Sequence, residues 1–180
     1  DKPSEVSSLN KQVDSLSRSE NPAYSCLDEL KFLLSELGLP WYQDNVLEAD
    51  DLLASGAKHL SYEGNKVFNV TLDKDVDQTV TESVTKFMPG ISGREDKFVR
   101  LSDLKESKFG FHGRALIDYQ TLVGDKVDDI PSILGPAKAI SLLKNYKSLT
   151  QYFKTEEGLK FWYRNQEELT RNQILVRLRT

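Results

Sequence analysis

Apolar residues recur at three- and four-residue spacing in several parts of the chain, a pattern typical of amphipathic helices. Over residues 26–37 the leucines follow this spacing, and Gly38 ends the predicted helix. The same spacing predicts a second helix over 49–62, with Gly64 as its end. Further helices are predicted over 102–107, 112–123, Pro136–Tyr146 and about 157–178.

Runs of β-branched and aromatic residues separate these helices. They predict strands over Lys66–Leu72, Ser83–Phe87 and Lys97–Leu101, the last two flanking a Pro-Gly turn. A helical turn over Val76–Val80 connects the first two strands. The alternation of helix and strand predicts an α/β fold with a parallel or mixed sheet, followed by an all-helical second part. Residues 1–25 are polar and are expected to be flexible, or helical only in context.

Composition narrows the range of possible sites. The 180 residues suffice for one domain with a small subdomain, and no apolar run is long enough to span a bilayer. One cysteine excludes an intramolecular disulfide, and one cysteine with two histidines does not make a zinc site. From Pro136 onward, nine Lys or Arg stand against four Glu, a net of +5, so a total of −4 leaves −9 on the rest. This asymmetry predicts a metal site in the acidic part and a phosphate-contacting surface in the basic part.

Carboxylates are concentrated in three short stretches, each at the end of a predicted element. Hard divalent cations such as Mg²⁺ take oxygen ligands and need several negative charges in one place. Each stretch also has an ordinary explanation: helix N-capping for the first, a polar turn for the second and a loop before proline for the third. For the second stretch, the sequence suggests no protein partner. The candidate ligands are Glu48, Asp50, Asp51, Asp73, Asp75, Asp125 and Asp128.

Taken together and in order, the three stretches resemble the motifs of one family. The motifs are Leu47-Glu-Ala-Asp-Asp-Leu-Leu, Thr71-Leu-Asp-Lys-Asp-Val and Leu122-Val-Gly-Asp-Lys-Val-Asp-Asp-Ile-Pro. They resemble the flap-endonuclease/5′-nuclease superfamily, most closely its bacterial and phage branch, which includes the 5′-3′ exonuclease domain of DNA polymerase I. The resemblance runs from about Leu27 to about Arg179. It implies a PIN/resolvase-like α/β fold with a parallel or mixed sheet, followed by a helix–hairpin–helix subdomain.

The resemblance also implies a chemistry. Glu48, Asp50, Asp51, Asp73 and Asp75 would act in catalysis through two or more Mg²⁺ or Mn²⁺ ions, and Asp125 and Asp128 would complete the metal ligands. Asp129 stands where the family usually has Asn. The implied reaction is hydrolysis of phosphodiester bonds at 5′ ends or branches of DNA, with RNA of RNA–DNA hybrids as a further substrate.

The basic C-terminal part matches the family's DNA-binding element. The family usually has a Gly-hydrophobic-Gly hairpin, where this chain has Ser132-Ile-Leu-Gly135. The resemblance implies phosphate contacts by this hairpin and by three lysines; a plain leucine-rich helical pair is the alternative. Weaker candidates lie near the start of the chain. The implied DNA-binding residues are Ser132, Gly135, Lys138, Lys144 and Lys147, with Lys11 and Arg18 as the weaker candidates.

These inferences divide the chain into an arch remnant over 1–25, the C-terminal part of a nuclease core over 26–123, and a helix–hairpin–helix region with a C-terminal helix over 124–180. The family's first strand, with its metal-binding Asp, has no counterpart here. We therefore expect a missing N-terminal part, or a polymerase or other polypeptide that supplies it. The leading hypothesis is a DNA replication and repair nuclease in a bacterial cytoplasm, associated with the nucleoid, or in a phage-infected host. The alternatives are a non-catalytic, structure-specific DNA-binding fragment and a metal-stabilised α/β module without a nucleic-acid role.

Overall fold

The computed structural model describes residues 26–91, 93–106 and 110–180. The candidates Lys11 and Arg18, and the predicted arch remnant, lie outside these residues. The chain divides into two units, Asp1–Asp44 and Asn45–Thr180. Within the described ranges, no helix is both long enough and apolar enough to span a bilayer. The functional boundaries drawn from the sequence at 25/26 and 123/124 stay predictions.

The described part of the first unit is built on helix α1 (Leu27–Glu36), which confirms the first predicted helix. None of its residues is buried, although its leucines follow amphipathic spacing. The following segment packs back on it through Trp41, whose Nε1 donates to the Ser35 hydroxyl at 2.9 Å. The Lys31 ammonium lies 5.5 Å from the centre of the same indole ring.

The second unit begins with an α/β layer. Its sheet has the order β1-β2-β3, with β1 parallel to β2 and β2 antiparallel to β3. This is the mixed sheet that the sequence predicts. The residues Val80, Val99 and Leu104 form its small apolar core. The elements are α2 (Ala49–Tyr62), β1 (Val67–Val70), a 3₁₀ helix (Asp75–Thr79), β2 (Val84–Met88), β3 (Lys97–Val99) and α3 (Leu101–Glu106).

The rest of the second unit is helical, as predicted. Its elements are α4 (Arg114–Val123), α5 (Pro136–Tyr146), α6 (Leu149–Tyr152) and α7 (Glu156–Val176). They enclose the larger core, made of Phe111, Leu122, Ala139, Leu143, Leu149 and Leu169. Helix α7 kinks at Asn165, whose side chain donates to the Phe161 carbonyl at 2.8 Å. The sequence did not predict α6 because four residues are too few to establish a period.

Two polar side chains buried among these helices fix how they join. Asn172 of α7 donates to the Thr121 carbonyl at 3.1 Å and to the Pro131 carbonyl at 2.7 Å. It thereby ties α7 both to the end of α4 and to the loop that follows α4. Asp118 of α4 accepts the backbone N–H of Leu149 at 2.9 Å and so caps α6.

Aromatic side chains of the C-terminal part pack between its helices. Tyr152 contacts Phe153 and Phe161, with ring centroids 6.0 and 5.8 Å apart, and Phe153 contacts Trp162 at 5.2 Å. Tyr163 is the exception, because 70% of its surface is exposed.

Candidate metal centre

The acidic candidates come together in the second unit. All seven line one cavity of about 380 Å³. They come from the start of α2, the segment after β1 and the loop after α4, so three distant parts of the sequence meet there. The seven are Glu48, Asp50, Asp51, Asp73, Asp75, Asp125 and Asp128. Asp129 does not line the cavity; its φ of 55° is in the left-handed region, which Asn and Asp tolerate better than most residues.

At the start of α2, Asp51 has a structural role of its own. Its carboxylate accepts the N–H of Glu48 at 3.4 Å and the N–H of Arg179 at 2.7 Å. The side chain is buried, with 8% exposed. The capping interpretation of this stretch therefore applies to Asp51, which forms a capping box with Glu48. The neighbouring Asp50 lines the cavity.

After β1, a short loop carries two of the acids. Asp73 accepts the N–H of Asp75 at 2.7 Å, which closes a tight turn. Asp75 accepts a hydrogen bond from the side-chain amide of Gln120 at 2.5 Å. The prediction that Asp75 has no protein partner is therefore wrong. Gln120 lies on α4, and only the fold brings it close to Asp75.

A buried lysine holds this loop in place. Lys86 of β2 has 2% of its surface exposed and lies on the same strand face as the buried Val84. Its ammonium donates to the Asp73 carbonyl at 2.7 Å and to the Asp77 carboxylate at 2.6 Å. Sequence reasoning missed this residue. The one sequence feature that indicates its role is a lysine at an inward-facing position of a predicted strand.

The loop after α4 is closed by its own backbone. Asp125 and Ile130 exchange two backbone hydrogen bonds, at 2.9 and 2.7 Å. Gly124 has φ 67°, and a Cβ there would lie 2.3 Å from the Ile130 carbonyl oxygen, so only glycine fits. The carboxylate of Asp125 accepts the N–H of Val127 at 2.8 Å and forms an ion pair with Lys74.

Electrostatics at the mouth of the cavity favour a proton or a cation. The pKa of Asp50 is raised to about 6, first by burial and then by the neighbouring Asp73, which also shares a hydrogen bond with it. Asp75 and Glu48 add smaller repulsions. Carboxylates held so close together favour any bound positive charge.

The two other acids of the cavity whose pKa departs from its ordinary value differ from each other. The pKa of Asp75 is raised, mainly by burial and by Asp73, although the hydrogen bond from Gln120 opposes the shift. The pKa of Asp125 is lowered, mainly by its hydrogen bond from Lys74. The cavity thus has a proton-attracting side near Asp50 and a neutralised side near Asp125.

The donor chemistry fits a hard divalent cation, because every acidic side chain on the cavity offers carboxylate oxygen. The positions of these carboxylates fit a bound ion less well than their chemistry does. Among the described residues, no three His, Cys, Asp or Glu side chains converge closely enough to hold one ion as they stand. The reason is visible in the contacts: Asp51, Asp75 and Asp125 are each directed at a different donor of the protein.

The hairpin candidates lie outside this cavity. The N–H groups of Ile133 and Leu134 both donate to the Leu122 carbonyl at 2.9 Å, and the Ser132 hydroxyl donates to the Leu134 carbonyl. These two N–H groups are therefore occupied within the protein, and phosphate binding by the hairpin stays a prediction. Gly135 precedes α5 as its N-cap, without a side-chain cap.

The candidate lysines of α5 are all available to solvent. Lys138 and Lys144 are exposed on the helix, and Lys147 is exposed at its C-cap in the left-handed conformation. The structure therefore leaves their charges free for an outside partner, without bringing them to the acidic cavity.

Known proteins resemble the chain in sequence and fold. It is 37% identical over 144 residues to a 5′-3′ exonuclease of Aquifex aeolicus, covering 79% of this chain and 46% of the relative. It is 32% identical over 150 residues to DNA polymerase I of Rhizobium leguminosarum, covering 79% and 14%. A solved structure of the bacteriophage T5 flap endonuclease, in complex with DNA and metal ions, matches with a TM-score of 0.67 and 21% identity, covering 93% of this chain and 66% of that one. No family model matches the chain.

The small mixed sheet with its surrounding helices is thus the PIN-like α/β fold of the phage enzyme. The chain belongs to the flap-endonuclease/5′-nuclease superfamily, in its bacterial and phage branch. The matched part spans just under half of the exonuclease relative and about a seventh of the polymerase.

Proposed function

We propose that the protein is a divalent-metal-dependent 5′-nuclease that hydrolyses phosphodiester bonds at 5′ ends or branches of DNA. The observation that carries this proposal is the meeting of seven carboxylates, from three separate motifs, on one cavity. The exonuclease relative and the phage flap endonuclease with DNA and metal ions support it. The proposed substrate places the protein with DNA, at the nucleoid of a bacterium or in a phage-infected host.

Mg²⁺ or Mn²⁺ would be held by Asp50, Asp73 and Asp75, with Glu48 nearby, and a second ion by Asp125 and Asp128. When bound, such an ion makes a water molecule deprotonate near neutral pH and offsets charge on the leaving oxygen. The chain's own contribution is to fix the carboxylates. Gln120 orients Asp75 by its hydrogen bond, and the closed loop after α4 sets the position of Asp125.

The substrate contacts remain part of the proposal. The exposed lysines of α5 would contact duplex phosphates, in the manner of a helix–hairpin–helix element. The partners proposed are DNA with 5′ flaps or free 5′ ends and a further polypeptide segment, which a polymerase could carry. RNA of RNA–DNA hybrids is proposed as an additional substrate.

The test is cleavage of a 5′-labelled flap DNA by the chain. We expect product with Mg²⁺ or Mn²⁺ and none with a chelator. Asp75→Asn should abolish cleavage, while the control Glu168→Gln, an exposed acid of α7, should leave it unchanged. Cleavage that persists in chelator, or in Asp75→Asn, would overturn the proposal.

A second function, structure-specific DNA binding without cleavage, is favoured by one observation. The acids share a cavity, yet no three of them converge on one point in the described part of the chain. In that case the chain would bind flap DNA more tightly than linear duplex and release no product with any metal. The same substrate therefore distinguishes the two functions.

A further inference from the structure

The four residues after α7, Arg177 to Thr180, form a strap whose first three residues line the acidic cavity. Gln78, from the 3₁₀ helix, holds the beginning of this C-terminal strap. Its side-chain amide donates to the Val176 carbonyl at 2.7 Å, and its side-chain oxygen accepts the N–H of Leu178 at 3.4 Å. One glutamine thus ends α7 and directs the chain that follows.

Helix α2 holds the rest of the C-terminal strap. Asp51 accepts the N–H of Arg179 at 2.7 Å, and the Ser55 hydroxyl donates to the Arg179 carbonyl at 3.1 Å. One helical turn further on, the Lys58 ammonium donates to the Thr180 hydroxyl at 3.2 Å.

The C-terminal strap carries two arginines to the cavity. Arg177 is extended, with φ −91° and ψ 120°, and alternate residues of an extended chain lie on the same side. Arg177 and Arg179 both line the acidic cavity, and both are exposed. Within the part of the chain that the structure describes, neither guanidinium forms a hydrogen bond or an ion pair.

We propose that Arg177 and Arg179 form a binding site for a backbone phosphate of DNA at the rim of the acidic cavity, and that Asp51 is the positioning residue that holds them there. Guanidinium groups suit this ligand because they bind phosphate oxygens through paired N–H groups and never lose their charge. Asp51 suits its role because backbone N–H groups already occupy its carboxylate.

Charge balance gives a reason for cationic side chains beside the acidic cavity, in addition to metal ions. Seven carboxylates face a substrate that is itself anionic. Lys74 already offsets the charge of Asp125, and two divalent ions would offset four more, which leaves two. The two arginines would offset these two, which lowers the repulsion that an approaching phosphate meets. This inference rests on the proposed function, because it assumes that DNA is the substrate.

The first test is binding of flap DNA by the whole chain in Ca²⁺, at several salt concentrations. We expect the double variant Arg177→Gln/Arg179→Gln to bind more weakly. Its slope of log K against log salt should be smaller by about 0.9, the value for the one phosphate that the protein no longer neutralises. Replacing both arginines by lysine should restore most of the slope. The control is Arg164→Gln, an exposed arginine of α7 that does not line the cavity.

The outcomes separate the two proposals. If the wild-type chain shows no salt-dependent DNA binding, the proposed function fails. If the wild-type chain binds and the double variant keeps the slope of the Arg164→Gln control, the phosphate site alone is overturned. Binding of Mn²⁺ without DNA should be unchanged or slightly tighter in the double variant. A large loss of Mn²⁺ affinity would also contradict a role in phosphate binding.

The second test addresses Asp51. Trypsin cleaves after arginine, so release of the C-terminal strap should expose the bonds after Arg177 and Arg179. We expect Asp51→Ala to accelerate tryptic removal of the last residues, measured by mass spectrometry, by at least severalfold, and Ser55→Ala to do so to a smaller extent. Ser55→Ala serves as the second variant if Asp51→Ala does not fold. Unchanged cleavage rates in the folded variants would overturn the positioning role.

Discussion

Lys86 is a buried cation that stabilises the acidic loop without lining the cavity. Its ammonium satisfies a carbonyl of the loop that carries Asp73 and pairs with Asp77, whose side chain is 24% exposed. Removing one partner of such a pair leaves the other uncompensated, which is more costly than removing both. The position of the acidic loop after β1 therefore depends on a residue that does not face the cavity.

We expect Lys86→Met to lower the free energy of unfolding by about 2–3 kcal/mol, because it leaves the Asp73 carbonyl and the Asp77 carboxylate without their donor. Adding Asp77→Asn should recover part of this stability. Lys97→Met, at an exposed position of β3, is the control. Equal effects of Lys86→Met and Lys97→Met in urea unfolding would show that the buried pair does not stabilise the loop.

The raised pKa of Asp50 makes a prediction about pH. The pKa in the folded chain is about 6 and its ordinary value is 3.8, so between these values the folded state holds a proton that the unfolded state releases. The contribution of Asp50 to stability is therefore complete below about pH 4 and is lost as the pH rises through about 6. The repulsion comes from Asp73, Asp75 and Glu48, which all face it.

The measurement is urea unfolding in chelator from about pH 4.5 to about pH 7, for the wild type and Asp50→Asn. The stability of the wild type relative to Asp50→Asn should fall across this interval. The other carboxylates are common to both proteins, so their titration largely cancels. A difference that stays constant with pH would mean that the surroundings of Asp50 do not raise its pKa.

At the scale of elements, the loop between α4 and α5 is the most constrained segment of the site. Its two ends are joined by the paired backbone bonds of Asp125 and Ile130, and Gly124 lies under the Ile130 carbonyl. We expect Gly124→Ala to destabilise the fold by at least about 2 kcal/mol, because it combines a left-handed φ with a backbone clash.

The matched control for Gly124→Ala is Gly56→Ala. Gly56 is an exposed helical residue of α2 with open space where a Cβ would lie. Alanine there should stabilise the protein by about 0.5–1 kcal/mol. Thermal melts of both variants test the pair, and a Gly124→Ala variant as stable as the wild type would contradict the loop geometry.

Helix α5 makes a separate prediction about DNA. Lys138→Ala and Lys144→Ala should each weaken binding to all duplex sequences about equally and lower the salt slope by about one. Lys160→Ala is the control, because Lys160 pairs with Glu156 on α7. If both α5 variants keep the slope of this control, α4 and α5 are only a packed helical pair.

The elements themselves are largely readable from the sequence, because each long helix and each strand has its own period or composition. Val67–Val70 and Val84–Met88 each combine β-branched residues with a phenylalanine, and the predicted bounds of α7 lie within two residues of its ends. The predicted end of α7 is too late because Gln78, 98 residues away, determines it. A hydrophobic pattern contains no information about such a bond.

The sequence likewise predicts some residues of the site and not others. The acids can be predicted because their motifs are local and ordered along the chain. Gln120, Lys86 and the C-terminal strap cannot be found, because their roles are contacts between residues that are distant in sequence. The exposed leucines of α1 show the converse limit: amphipathic spacing indicates a helix without showing what covers its apolar face.

At the scale of the whole molecule, the proposed function requires that the carboxylates of three motifs act together on divalent metal. Burial first, and then repulsion from the neighbouring carboxylates, raises the pKa of Asp50 to about 6. Two ions would relieve the repulsion, so metal binding should be strongest at a pH above that pKa. Metal binding can be measured in the chain alone, without DNA and without turnover.

The measurement is a calorimetric titration of the chain with Mn²⁺ near pH 7.5. We expect saturable binding by the wild type and an affinity at least tenfold weaker in Asp73→Asn/Asp75→Asn. The affinity of the wild type should itself be weaker near pH 5.5, because Asp50 takes up its proton. The control Glu168→Gln should titrate as the wild type does. Absence of saturable binding, or an unchanged affinity in the folded double variant, would contradict the assignment of the acidic cavity as a metal centre.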